Sequence, residues 1–202
     1  MSKIIDLHTI DLETNSPLWQ IIDSENEPVL RVTGNMATTD RTGTEAYLVE
    51  DHHGKVALIG EVKHNYRMQV EMRFLGHHHP RTSAGWFGFA IRAQDFLNYE
   101  IVWFMPNAET GSTVAYVPVA HGIVPWWTEA YSNQKKGNPH IPTDSWFESR
   151  VDVSGDEFTV YVGNQLVFTK KITYYLSKGI PGLFVGTATD AAFRRIVIEE
   201  LP

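Results

Sequence analysis

The chain of 202 residues contains no cysteine. That excludes disulfides, thiolate catalysis and cysteine-based zinc sites. It says little about compartment, because a chain of this length buries a sufficient core without cross-links. Long apolar runs are also missing. The stretches present, such as Val151 to Val153 and Gly182 to Val185, fall far short of the ~20 residues a spanning helix needs. The opening Met1-Ser2-Lys3-Ile4-Ile5-Asp6 lacks the apolar core of about 7–15 residues that marks a signal peptide. The chain as given is therefore expected to be cytoplasmic, or already trimmed, with no membrane partner. Basic residues are scarce. Seventeen Lys and Arg stand against 24 Asp and Glu, a formal net charge of −7. Only Lys135-Lys136 and Lys170-Lys171 form adjacent lysine pairs. Nucleic-acid binding usually leaves a basic footprint, so no nucleic-acid partner is expected. The sequence has no G-x-S-x-G nucleophile turn and no glycine-rich phosphate loop.

Aromatic residues are plentiful at 12 %, with six Trp and eight Tyr. They suit a β core and equally a surface that stacks on sugars. Hydrophobic spacing has period two. Phe158, Val160 and Val162 alternate with Thr159 and Tyr161, Gly163-Asn164 turns the chain, and Gln165 to Phe168 resumes. This is a hairpin on a two-residue turn. Phe147, Ser149, Val151 and Val153 precede it behind Ser154-Gly155-Asp156, so three strands form a meander. Further strands are expected at Val29–Val32, Glu45–Val49, Val56–Gly60, Tyr66–Phe74, Trp86–Arg92, Tyr99–Phe104, Val114–Val119, Gly182–Val185 and Phe193–Glu199. Tyr174 to Ser177 reads as one helical turn. About a dozen short strands without βαβ spacing predict an all-β, two-sheet antiparallel sandwich. At this length one domain, spanning 1–202, is expected. The segment from His121 to Ser145, with Pro125, Pro139 and Pro142, is a long loop of the kind that is often functional.

Gly88-Phe89-Ala90-Ile91-Arg92-Ala93-Gln94-Asp95 followed by Asn98-Tyr99-Glu100 resembles a strand–loop–strand element of concanavalin A-like (laminin-G-like) jelly rolls. So does W-x(4)-V-x-V-x-G-x(4)-V-Y-V-G-N from Trp146 to Asn164, and so do the last two strands around Gly182–Gly186 and Ala192–Ile198. The resemblance runs from about Val29 to Leu201. Within that superfamily the chain is most similar to bacterial glucanase-like domains described as 3-keto-disaccharide hydrolases. The resemblance implies a jelly roll and a carbohydrate ligand. It also implies an oxygen-ligated Ca²⁺ as the cofactor to look for, although no D-x-D-x-D-G loop places one. The E-x-D-x-E motif of the superfamily's retaining glucanases is absent. Glu148 and Asp152 lie roughly 13 Å apart on a strand, whereas retaining chemistry needs carboxyls about 5–5.5 Å apart.

Three groups of residues are candidates for a site. Arg92 and Glu100 are expected on one sheet face beside Gly88 and Ala90, where small residues leave room for a ligand; a structural ion pair is the alternative. That register is preferred because the other buries Glu100 against Phe89 and Ile91, at a cost of several kcal/mol for an unpaired carboxylate. Glu148, Arg150, Asp152 and Tyr161 share an outward face, which is also ordinary for a solvated sheet. The long loop carries His121, Trp126, Trp127, Glu129, Tyr131 and His140. Its tryptophans either stack on a sugar or plug the sandwich. His78 and its neighbours His77 and His79, and the pair His52-His53, are weak metal candidates, because adjacent residues on an extended chain face opposite ways.

The sequence thus points first to a carbohydrate-binding protein. Its sugar would sit on the concave sheet and the 121–145 loop, bound by Arg92, Tyr116, Trp126, Trp127, Glu129 and Arg150. A carbohydrate-active enzyme, a glycoside hydrolase or lyase of 3-keto-sugar type, is the alternative, with His121, Glu148 and Glu100 as acid/base candidates. A structural subunit with a protein partner is the third reading.

Overall fold

A computed structural model of the chain describes residues 4–34, 54–77, 85–106, 111–123, 139–171, 177–186 and 188–202. The period-two alternation becomes thirteen strands among these residues, and no helix. They are β1 (Leu12–Thr14), β2 (Trp19–Ser24), β3 (Glu27–Val32), β4 (Lys55–Ile59), β5 (Asn65–His77), β6 (Phe87–Asp95), β7 (Asn98–Met105), β8 (Thr113–Val119), β9 (Phe147–Ser154), β10 (Glu157–Val162), β11 (Gln165–Lys171), β12 (Ile180–Val185) and β13 (Thr189–Glu200). A six-stranded sheet runs β1-β4-β12-β6-β7-β8, and a seven-stranded sheet runs β11-β10-β9-β5-β13-β3-β2. Every pairing between strands is antiparallel. The meander β9–β10–β11 forms as the alternation predicts, with Gly163 at positive φ in the two-residue turn. The expected strand at Glu45–Val49 and the expected helical turn at Tyr174 lie outside the described residues.

The core fills the space between the sheets. Phe87, Phe89, Val102, Phe104, Val114 and Leu183 come from the six-stranded sheet, and Met68, Val70, Met72, Val151, Phe158 and Phe193 from the other. The two sheets differ in their outer faces. On the seven-stranded sheet most outward positions of β5, β9 and β10 are polar, as alternation requires. On the six-stranded sheet Ala90, Tyr99, Ile101, Trp103, Val117 and Phe184 form a second buried cluster. That explains the unbroken apolar run Ile101–Phe104, where one-sided burial would have given alternation.

Two of the irregularities in the ladders fall at an arginine with positive φ: Arg92 in β6 and Arg195 in β13. A bulge adds a residue to one strand and re-aims a side chain. The Arg92 bulge leans directly on Gly179, which is held by a reciprocal backbone pair with Lys63 at 3.0 Å. A Cβ at Gly179 would fall inside the van der Waals radius of the Arg92 backbone. Gly179→Ala is therefore expected to cost about 1–3 kcal/mol through overpacking. Urea unfolding measures it, and an unchanged midpoint would show that the bulge yields freely.

Among the described residues no helix is long and apolar enough to cross a membrane.

Candidate functional site

The Arg92–Glu100 hairpin takes the register opposite to the expected one. Glu100 pairs with Ile91 and Val102 with Phe89. Glu100 therefore points between the sheets with Val102 and Phe104, fully buried. The bulge turns the Arg92 side chain inward as well, leaving 2 % of the residue exposed. Arg92 Nε donates to Glu100 Oε2 at 2.9 Å and Nη1 donates to the Gly155 carbonyl of the β9–β10 turn. The Arg92 backbone N–H donates to Tyr66 Oη at 3.3 Å, and the guanidinium lies 5.8 Å from the Phe158 ring. The reason for rejecting this register was an unpaired buried carboxylate; the bulge removes it by delivering the counter-charge to the same face. Arg92 and Glu100 thus form an internal ion pair and do not line an open surface. Tyr116 is internal too, with its ring 5.3 Å from Phe158 and Lys170 Nζ 4.9 Å from its centre. Ala90 has no open space beside it, since it belongs to the buried outer cluster.

Burial dominates the chemistry of Glu100. It pushes the carboxyl up to about 7 against the opposing pull of the Arg92 charge and hydrogen bond. Glu100 Oε1 and Arg92 Nη2 are enclosed without a hydrogen-bond partner. Burial likewise raises the Tyr66 hydroxyl far above its ordinary value.

The remaining acid/base candidates stand elsewhere. His121 is exposed beyond the end of β8, its backbone N–H donating to Asn98 Oδ1 at 3.1 Å. Glu148 is exposed on the outer face of the seven-stranded sheet, opposite Glu71. His121 and Glu148 therefore lie on separate parts of the surface and Glu100 in the interior, and the three do not converge on one bond. Trp126, Trp127, Glu129 and Tyr131 lie outside the described residues. The end of the 121–145 segment is anchored, with Ile141 buried in the core and its N–H donating to Ser112 Oγ at 3.3 Å. His77 stands on β5, while His78, His79, His52 and His53 lie outside the described residues. Among the described residues no cluster of three or more His, Asp or Glu is placed to hold a metal ion.

The outer face of the seven-stranded sheet carries a dense charge array. Arg67 grips Asp152 bidentately at 2.8 Å for both bonds. Arg150 stacks over the Tyr161 ring at 3.7 Å. The Arg195 bulge puts two consecutive arginines on this face. Arg194 reaches Glu71 at 2.7 Å and Glu27 at 2.8 Å; Arg195 reaches Glu71 at 2.9 Å and Glu27 at 3.0 Å. The Trp146 ring, at the entry to β9, packs 4.2 Å from the Arg194 guanidinium.

Beside this array opens a groove of about 180 Å³ lined by Ile22, Ser24, Val29, Arg31, Arg73, Leu75, Trp146 and Ala192. Its shape follows from the register. Ala192 pairs with Arg31 on one side and Arg73 on the other, so a methyl group lies between two long side chains and leaves a trough. Ile22, Val29 and Leu75 supply apolar walls, and Trp146 supplies the aromatic one. An aromatic surface with a few polar groups around an apolar trough is a ligand-binding arrangement. Sequence reasoning missed it. Trp146 figured only in a fold motif, and the other residues sit on β2, β3, β5 and β13, whose neighbourhood depends on strand order.

No protein-family model matches the chain, and no curated protein matches it in sequence. Solved structures do match in fold. The carbohydrate binding module CBM66 from Bacillus subtilis superposes with a TM-score of 0.60 at 13 % identity, over 94 % of this chain and 95 % of that one. The carbohydrate recognition domain of Emp47p gives 0.54 at 14 % identity, over 94 % and 88 %. Alginate lyase Aly36B, in complex with an alginate tetrasaccharide, gives 0.56 at 9 % identity, over 92 % and 86 %. With two antiparallel sheets of six and seven strands packed face to face, the chain is a jelly-roll sandwich, the fold these structures share.

Proposed function

We propose that this protein binds carbohydrate, as a single domain over 1–202, in the groove on the seven-stranded sheet. The observation that carries the reading is the groove itself, with Trp146 on one wall and the guanidinium groups of Arg31 and Arg73 on the others. A pyranose has an apolar face that suits the indole and an equatorial fringe of hydroxyls that suits planar, multivalent donors. Trp146 follows immediately on the 121–145 segment, so the loop expected to hold the sugar and the groove adjoin in sequence. Carbohydrate-related fold neighbours agree with the reading. The enzyme alternative has less support, because His121, Glu148 and Glu100 do not face one another.

The test is calorimetric titration of wild type and Trp146→Ala against neutral and acidic oligosaccharides. Loss of one base-stacking-sized aromatic contact is worth about 1–3 kcal/mol, so affinity is expected to fall roughly 10-fold or more. Wild-type affinity retained by Trp146→Ala, in a variant with an unchanged unfolding midpoint, would remove the groove as the site.

A further inference from the structure

The groove differs from an ordinary neutral sugar site in what its lining can offer. None of its eight lining residues is acidic. Apart from the Ser24 hydroxyl, its side-chain polar groups are all N–H donors: two guanidiniums and an indole. Arg31 is exposed, and its side chain makes no hydrogen bond or ion pair among the described residues. Arg73 meets one carboxylate, Glu25, at 3.4 Å, while its Nε is enclosed without an acceptor. Trp146 Nε1 is also enclosed without an acceptor. Uncompensated donors in the walls leave the trough with positive potential.

The neighbouring carboxylates do not cancel it. Glu71 and Glu27 are each shared by Arg194 and Arg195, and Glu25 is shared by Arg194 and Arg73. The charged lining of the groove itself is two guanidiniums, Arg31 and Arg73, against which one carboxylate, Glu25, is set. The groove is therefore locally cationic in a chain whose overall charge is −7. A protein that is acidic overall repels acidic ligands over most of its surface, so a local cationic trough on it is selective for where such a ligand docks.

We propose that the groove binds an acidic saccharide, a uronate, with the sugar face against Trp146 and the carboxylate between the guanidiniums of Arg31 and Arg73. A planar carboxylate matches the forked donors of a guanidinium, which a hydroxyl cannot do as well. This inference rests on the carbohydrate reading and narrows its ligand class.

The experiment pairs each acid with a neutral twin. Galacturonate and alginate oligosaccharides are titrated as free acids and as their methyl esters, with neutral oligosaccharides alongside. The free acids are expected to bind at least 10-fold more tightly than the esters. That ratio should shrink as salt rises from about 0.05 to 0.5 M, since exposed charges are screened. Arg31→Gln and Arg73→Gln should each bring the acid-to-ester ratio toward one; Arg31 is exposed, so its loss leaves the fold intact. Equal or tighter binding of the esters, or of neutral sugars, with Trp146 required, overturns the uronate assignment and leaves the carbohydrate reading standing. No binding by any saccharide, acidic or neutral, overturns both.

Discussion

Replacing Arg92 by methionine is expected to lower the free energy of unfolding by about 3–5 kcal/mol, the range for breaking a buried ion pair. Methionine keeps the stem that packs near Phe158 and removes the guanidinium. Glu100 then keeps its position between the sheets with no donor and only the weaker pull of Lys170 as counter-charge. It responds by holding its proton to higher pH, because the Arg92 charge and hydrogen bond that oppose burial are gone. The variant also frees the Gly155 carbonyl, so the β9–β10 turn loses its tie to the six-stranded sheet. The decisive comparison is the double variant Arg92→Met/Glu100→Leu, in which nothing charged remains inside. Buried pairs replaced by apolar residues of similar size are often neutral or stabilising. The double variant should therefore recover most of the loss. Urea unfolding of all the variants closes the cycle. A single variant within 1 kcal/mol of wild type would mean that water reaches this pair.

The limits of the sequence lie at the same place. Period two located the meander and the closing strand, because each side of those strands meets a different medium; the β6–β7 hairpin, buried on both faces, was located by its apolar runs and the turn at Asp95. Two strands, β1 and β2, were not expected. Their edges of the sheets bury little, so Ile21 at 38 % exposure and the short run Leu12–Thr14 carry almost no alternation. The bulge at Arg92 was illegible for a different reason. Positive φ usually announces itself through glycine, and an arginine there gives no local sign. The partners that make the conformation worthwhile, Glu100, the Tyr66 hydroxyl and the Gly155 carbonyl, are brought together by the fold, the last from 63 residues away. One unread residue inverted the hairpin face and moved Arg92, Glu100 and Tyr116 from an imagined surface into the core. The groove was hidden by topology. Arg31, Arg73 and Ala192 are side by side only because β13 lies between β3 and β5, and no spacing in the chain encodes that order. What a strand pattern does encode is the outward parity of Arg31, Arg73 and Arg150, which makes outward cations near an aromatic a better search rule than conspicuous pairs such as Trp126-Trp127.

Glu100 also sets a pH dependence whose sign is unusual for a paired carboxylate. Most such groups titrate low when folded and stabilise at neutral pH. Here burial outweighs the pair, and the carboxyl titrates near 7 when folded against about 4.5 when exposed. Between those values the folded state holds a proton the unfolded state has lost. Stability from this group is therefore complete below about pH 4.5 and is lost as pH rises through about 7. A shift of that size is worth on the order of 3 kcal/mol. Glu100→Gln isolates it. Glutamine mimics the protonated acid, keeps an oxygen for Arg92 Nε to donate to, and cannot titrate. The stability of Glu100→Gln relative to wild type should rise from pH 4 to pH 7 and then level off, whatever the other titrating groups do, since they are common to both proteins. At pH 8 the variant is expected to be the more stable one. A difference that stays flat, or falls, across that window would mean that the Arg92 charge outweighs the desolvation of Glu100. The pair would then stabilise the sandwich in its ionised form, and the cost assigned to Arg92→Met would grow with pH for that reason alone.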